Sequence, residues 1–341
     1  MEHYVFEKEK VKKLLELLID QFDSVYAPVS KGKKFTFDRI TDPSQAKFNY
    51  VRTILPPKKY LMPQKEQIVS FDLGKDVPEF KETVEAPKQV IVGVHPCDLR
   101  AVSLLDKVML SGNTDPYYKA RRENTVIIGI DGVPDEYSYE TSVMDLRVTE
   151  GFDLFLTDLG DTVLVDVATP KGKEIIVKID AKAANSEQLS KREKAIESIK
   201  QMYTAKIDTP AALIPLSLEG KWDHKVWDEM GARCLSCGQC ILVCPTCYCF
   251  NVTDDLDLTM KAGVRTRQWD GCQLADFAMV GHGENFRDDA GARIRHRFHR
   301  KFKYHIDSHS QTFCTGCGRC WEYCPSDINL VDIANTITSE E

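Results

Sequence analysis

Apolar residues recur three and four apart over residues 7–22 and predict an amphipathic helix near the start of the chain. Short β-like runs follow, broken by Pro56, Pro57 and Pro63. The unbroken apolar run over residues 88–94 reads as a buried strand. Residues 99–110 carry apolar positions at helical spacing behind it, with Asp98 placed to cap that helix. Residues 124–130 repeat the buried-strand pattern. Three more strands are predicted over 152–156, 162–167 and 174–179, the first two joined by a tight turn at Gly160-Asp161. A charged helix over 186–202 and a loose stretch through Pro210 and Pro215 complete this part, with a boundary near residue 220. The pattern describes an α+β chain: a mixed α/β domain over residues 1–220 and a mainly helical domain over residues 221–341.

Composition narrows the class. A length of 341 residues exceeds the usual single domain, and 43% hydrophobic with 28% charged residues is an ordinary globular balance. The net charge of -7, from 45 basic and 52 acidic side chains, repels nucleic acid. The longest apolar stretches, such as 11–19 and 90–94, are too short or too interrupted to cross a bilayer, so no integral membrane protein is expected. The N-terminus lacks the apolar segment of a secretory signal, which makes the cytoplasm the expected location.

Twelve cysteines are many for such a chain, and eleven of them lie between Cys234 and Cys324, with Cys97 apart. A chain with this much core has no need of disulfide staples, so metal ligation is the better reading. Two runs carry it: Cys234-Leu-Ser-Cys237-Gly-Gln-Cys240-Ile-Leu-Val-Cys244-Pro245 and Cys314-Thr-Gly-Cys317-Gly-Arg-Cys320-Trp-Glu-Tyr-Cys324-Pro325. Both have the C-x2-C-x2-C-x3-C-P spacing of two-cluster ferredoxins, in which the fourth cysteine of each run serves the other cluster. Two 4Fe-4S clusters are therefore expected. Cys234, Cys237, Cys240 and Cys324 would hold one, and Cys314, Cys317, Cys320 and Cys244 the other. Gly238 and Gly318 permit the tight backbone. Zinc sites use separated C-x2-C pairs instead. About seventy residues part the runs, with helix-like segments around Ala275 and Arg293.

Cys97, Cys247, Cys249 and Cys272 remain. They are either a third metal site or buried thiols packed beside the clusters. Cys97, at a strand-to-helix junction with His95 two residues away, has a further reading as a reactive thiol. The basic segment 287–303 reads as a solvated helix face, a dock for an acidic partner, or an offset to cluster charge. No G-x-G-x-x-G or G-x-x-x-x-G-K-[ST] loop is present, so no nicotinamide or ATP site is evident. The sequon Asn251-Val-Thr253 would stay unused in the cytoplasm.

The wider pattern resembles the beta subunit of soluble NiFe sulfhydrogenases and the dicluster electron-transfer subunit of anaerobic sulfite reductase. The resemblance rests on Gly93-Val-His-Pro-Cys97-Asp98, Tyr117-Tyr-Lys-Ala-Arg-Arg-Glu123, Gly151-Phe-Asp-Leu-Phe155, Cys244-Pro-Thr-Cys247-Tyr-Cys249 and Trp269-Asp-Gly-Cys272 followed by Gly281-His-Gly-Glu-Asn-Phe-Arg287. It implies a non-catalytic electron wire between a flavin subunit that handles NAD(P)H and a hydrogenase or reductase subunit. This chain departs from the pattern at Gly132-Val-Pro-Asp-Glu-Tyr-Ser138-Tyr-Glu140, where sulfhydrogenase beta subunits often carry a cysteine-rich motif. Two rivals stand beside the wire: a self-contained enzyme using Cys97 or a third site of Cys247, Cys249 and Cys272, and an assembly protein in which the clusters are structural.

Overall fold

Strands Gln89–Val94 and Thr125–Ile130, buried along their whole length, lie parallel at the middle of an eight-stranded sheet. The structure is a computed structural model and describes residues 1–140 and 147–339. Ser24–Lys31 and Leu154–Asp158 flank the central pair in parallel, and antiparallel strands complete both edges. Parallel strands are covered on both faces, which is why these runs are continuously apolar. Their side chains still alternate. Val90, Val92, Val126 and Ile128 join the core that receives Leu14, Leu15 and Leu18 of the helix Lys10–Gln21. Ile91 and Ile127 join the core that receives Leu99, Val102 and Leu105 of Pro96–Met109.

Thr162–Val167 forms as expected and pairs with Leu154–Asp158 through a turn in which Gly160 takes φ 100°. Residues 174–179 do not form a strand. They belong to the helix Pro170–Ile176 and the 3-10 turn Val177–Ile179. The Ile-Ile-Val run favours a strand, but Thr169 caps the Gly172 amide and Pro170 sits at the first helical position, and this start signal prevails. Asp98 is not a cap either. The helix begins earlier, at Pro96 with His95 as N-cap, and Asp98 lies in its first turn.

Between the cysteine runs, the segment at Ala275 is only the 3-10 turn Ala275–Ala278, while the segment at Arg293 is the helix Ala290–Phe302. Residues 250–269 form an antiparallel hairpin, Phe250–Leu256 with Ala262–Trp269. Its second strand pairs with Lys65–Asp72, making a four-stranded sheet from distant parts of the chain. Glu66, buried, receives Arg121 and Arg267 there, and Arg267 also pairs with Asp115.

A second core is helical. Trp227, Ile294, Phe298, Phe302, Ile333 and Ile337 fill it, and it also takes in Tyr139 and Ile207. The helices Val226–Arg233 and Ala290–Phe302 touch backbone to backbone, because a Cβ on Gly231 would lie 2.7 Å from the Gly291 amide nitrogen. No helix among the described residues is long and apolar enough to cross a membrane.

Candidate functional site

The two cysteine runs fold alike. Each passes through a glycine at φ 75°, Gly238 or Gly318, into a one-turn helix, Gln239–Leu242 or Arg319–Glu322. Both glycines are also sterically required: a Cβ would lie 2.8 Å from Leu274 Cδ2 in the first run and 2.6 Å from the Tyr137 carbonyl oxygen in the second. The two short helices pack together. Each run thus presents three thiols around a loop and carries its fourth just before a proline.

Cys234, Cys237, Cys240 and Cys324 line one small cavity. Cys244, Cys314, Cys317 and Cys320 line another. The first opens at the surface, where Cys237 and Leu235 are exposed; the second is enclosed by Phe313, Leu330 and Tyr139. Among the described residues, no three His, Cys, Asp or Glu side chains converge as one ion requires. Zinc would draw its thiolates to about 2.3 Å from a single point.

The helix Ala290–Phe302 turns one stripe toward the cysteines: Arg293, Arg297 and Lys301, four residues apart and all buried. Arg297 lines both cavities, and its Nε and Nη2 have no acceptor among the described residues. Lys301 lines the second cavity and donates to Thr246 Oγ1 at 2.6 Å. Lys58, also buried, donates to the Cys244 and Cys247 carbonyls at 3.0 and 2.6 Å, over the Trp269 ring. Burial pulls its pKa down to about 8. For Lys301 burial acts in the same sense, but the sulfurs of Cys244 and Cys247 outweigh it and hold the ammonium charged. An uncompensated buried cation is costly, so this set of cations fits a negative group between them.

Burial pushes the Cys240 and Cys314 thiols up to about 12, which keeps them protonated in the free chain. Cys244 is held well below the usual thiol range by a hydrogen bond from Cys247, helped by the Lys301 and Arg297 charges. Ordered amides also reach the sulfurs, Ser236 to Cys234 at 3.4 Å and Ile328 to Cys324 at 3.3 Å. The Tyr139 hydroxyl lies 2.8 Å from Cys314 Sγ. Thiols in fours, unpaired guanidinium N–H groups and amides aimed at sulfur are the donor set a 4Fe-4S cluster needs, and the residues fit it.

The other four cysteines lie outside the linings of both cavities. Cys97 is next to Cys317 and Asp98, Cys247 bonds Cys244, and Cys249 is near Cys272. The half-buried Cys97 lacks the lowered pKa that the reactive-thiol reading asks for. Despite its place in the first helical turn, its pKa is raised well above the ordinary value by desolvation and by Asp98. His95 is turned elsewhere: its ring stacks on Tyr50 at 4.0 Å and Nδ1–H donates to the Val51 carbonyl at 3.1 Å.

Three contributors were not found in the sequence. Lys58 follows the proline-rich stretch, Tyr139 comes from the segment that lacks cysteines, and Arg319 lies inside the second run. Arg319 is 1% exposed and makes a two-pronged ion pair with Asp98 at 2.6 and 2.7 Å, while its Nε donates to the Thr53 carbonyl at 2.8 Å. A charged residue between two cluster cysteines was the available signal for Arg319. The other two needed the tertiary structure.

A helical two-run cysteine fold with these cavities defines an iron–sulfur electron-transfer protein, and residues 233–328 match the family described as a 4Fe-4S dicluster domain. Sulfhydrogenase 2 subunit beta of Pyrococcus furiosus is 35% identical over 314 residues, covering 92% of each chain. This chain belongs to the sulfhydrogenase beta-subunit family. No solved structure matches it.

Proposed function

We propose that this chain is a non-catalytic relay subunit that holds two 4Fe-4S clusters. Cys234, Cys237, Cys240 and Cys324 bind one cluster, and Cys314, Cys317, Cys320 and Cys244 bind the other. Its partners are a flavin- and NAD(P)-binding subunit and a hydrogenase or reductase subunit, and it works in the cytoplasm. Residues 1–220 form the platform and residues 221–341 the cluster-bearing part.

The observation that carries this reading is the exchange of fourth thiols: each cavity is lined by three cysteines of one run and one of the other. When bound, each cluster supplies a one-electron couple whose potential responds to charge, hydrogen bonding and exposure. The protein holds the thiolates, keeps water from the enclosed cavity with Phe313 and Leu330, and balances charge with Arg297 and Lys301. Cys237 marks the face at which a partner's redox group comes nearest.

Anaerobic purification with iron analysis and mass spectrometry of co-eluting proteins tests the reading. About eight iron atoms per chain are expected from two 4Fe-4S clusters. They are expected together with a flavoprotein and a hydrogenase or reductase subunit. A chain that elutes alone without iron overturns it.

A further inference from the structure

The two cavities differ in the charge around them. Arg297 is shared, since it lines both. Lys301 is not: it lines only the second, and its side chain is 5% exposed, so solvent cannot screen it. Its hydrogen bond goes to Thr246 Oγ1, and that hydroxyl spends its own proton on the Phe313 carbonyl at 2.6 Å. The chain Lys301–Thr246–Phe313 therefore pins the charge beside the start of the second run. Lys58 adds a second buried cation at the Cys244 and Cys247 carbonyls. Tyr139 adds a hydroxyl 2.8 Å from Cys314 Sγ, which donates once that sulfur is a thiolate. Arg319, also nearby, is neutralised by Asp98 and cancels from the comparison.

At the first cavity the balance is different. Arg293 is as buried as Lys301 but does not line that cavity: its Nη1 goes to the Arg287 and Asp288 carbonyls and its Nη2 to Ser236 Oγ. The mouth of that cavity is exposed at Leu235 and Cys237. Burial alone would make the enclosed site harder to reduce, because reduction adds a negative charge in a low dielectric. Lys301 in the lining and the Tyr139 hydroxyl on a cysteine sulfur act in the opposite sense.

Resting on the two-cluster reading above, we propose that Lys301, with Tyr139, makes the enclosed site of Cys244, Cys314, Cys317 and Cys320 the higher-potential of the two. An electron delivered at the exposed site by a partner's reduced flavin or cluster then settles at the enclosed one. One electron leaves the first cluster and reduces the second, with no bond broken. Lys301 and Tyr139 are tuning residues and touch no substrate.

Potentiometric titration of the full chain with dithionite, followed by electron paramagnetic resonance, reads the two midpoints separately. In Lys301→Met the higher midpoint is expected to move to more negative potential while the lower one stays. Lys301→Arg is expected to restore it. Tyr139→Phe, which removes a single oxygen, is expected to move the same midpoint by less, and it keeps the test available if Lys301→Met does not fold. A shift of the lower midpoint, of both equally or of neither overturns the inference while leaving the two-cluster reading intact. Absence of iron and of any resonance signal overturns that reading and the inference with it.

Discussion

At the scale of single residues, the contacts that matter most join a cysteine run to a distant strand or helix. Arg319 and Asp98 are each 1% exposed and fully engaged with one another. Removing one partner from such a pair strands the other charge and costs about 3–5 kcal/mol. Arg319→Leu is therefore expected to lower stability by about that much in guanidinium titration. Adding Asp98→Leu to it should recover part of the loss; a double variant as weak as the single would contradict the account. Replacing one thiol acts on one cavity only. Cys320→Ser is expected to reduce iron from about eight to about four atoms per chain, read by metal analysis of anaerobic protein. The proposed sharing of thiols between runs was read from their spacing, and each cavity is lined by three cysteines of one run and one of the other. The roles of Lys58 and Tyr139 were not legible in the sequence: Lys58 reaches the Cys244 carbonyl and Tyr139 the Cys314 sulfur by tertiary packing from more than a hundred residues away.

Among the elements, the helix Ala290–Phe302 does two jobs on adjacent stripes. Ile294, Phe298 and Phe302 enter the helical core, while Arg293, Arg297 and Lys301 face the cysteines. Of the three roles the basic run allowed, offset of buried charge is the one its inward stripe fits, and Arg295 on the outer face stacks over Trp222 at 4.2 Å. This helix is held in place by the contact of Gly231 with Gly291, where a Cβ has no room. Gly231→Ala is expected to destabilise the protein by about 1–3 kcal/mol, seen as a lower denaturation midpoint. It should also reduce iron retention, because the basic stripe shifts with the helix. Helix periodicity was readable here and in the buried parallel strands, whose apolar runs have a single physical explanation. The hairpin at residues 250–269 was not, since its first strand is exposed throughout and its second buries Thr266 and Arg267 rather than an apolar face. Residues 174–179 were misjudged because β-branched composition was weighed without the Thr169-Pro170 start signal.

For the whole molecule, acid is the expected weak point. Burial holds His95 and His305 down to about 3 and His296 to about 4, so all three are neutral in the fold near neutral pH. Unfolded imidazoles take up protons near pH 6.5. Between about 6.5 and these lower values the unfolded chain binds more protons, so stability rises with pH there and is lost on acidification. A guanidinium midpoint that falls from pH 7 to pH 5, with a shallower fall in His95→Asn, is the expected result; a midpoint independent of pH would contradict it. The exchange of Cys244 and Cys324 between the cavities also sets a timetable for biogenesis. The set of Cys244, Cys314, Cys317 and Cys320 is complete only at residue 320, and the set of Cys234, Cys237, Cys240 and Cys324 only at residue 324, so a nascent chain stalled before the second run has no complete place for iron. Metal loading on the proposed sites is then a late event in the chain's synthesis, and a premature stop between the runs would forfeit both sites at once.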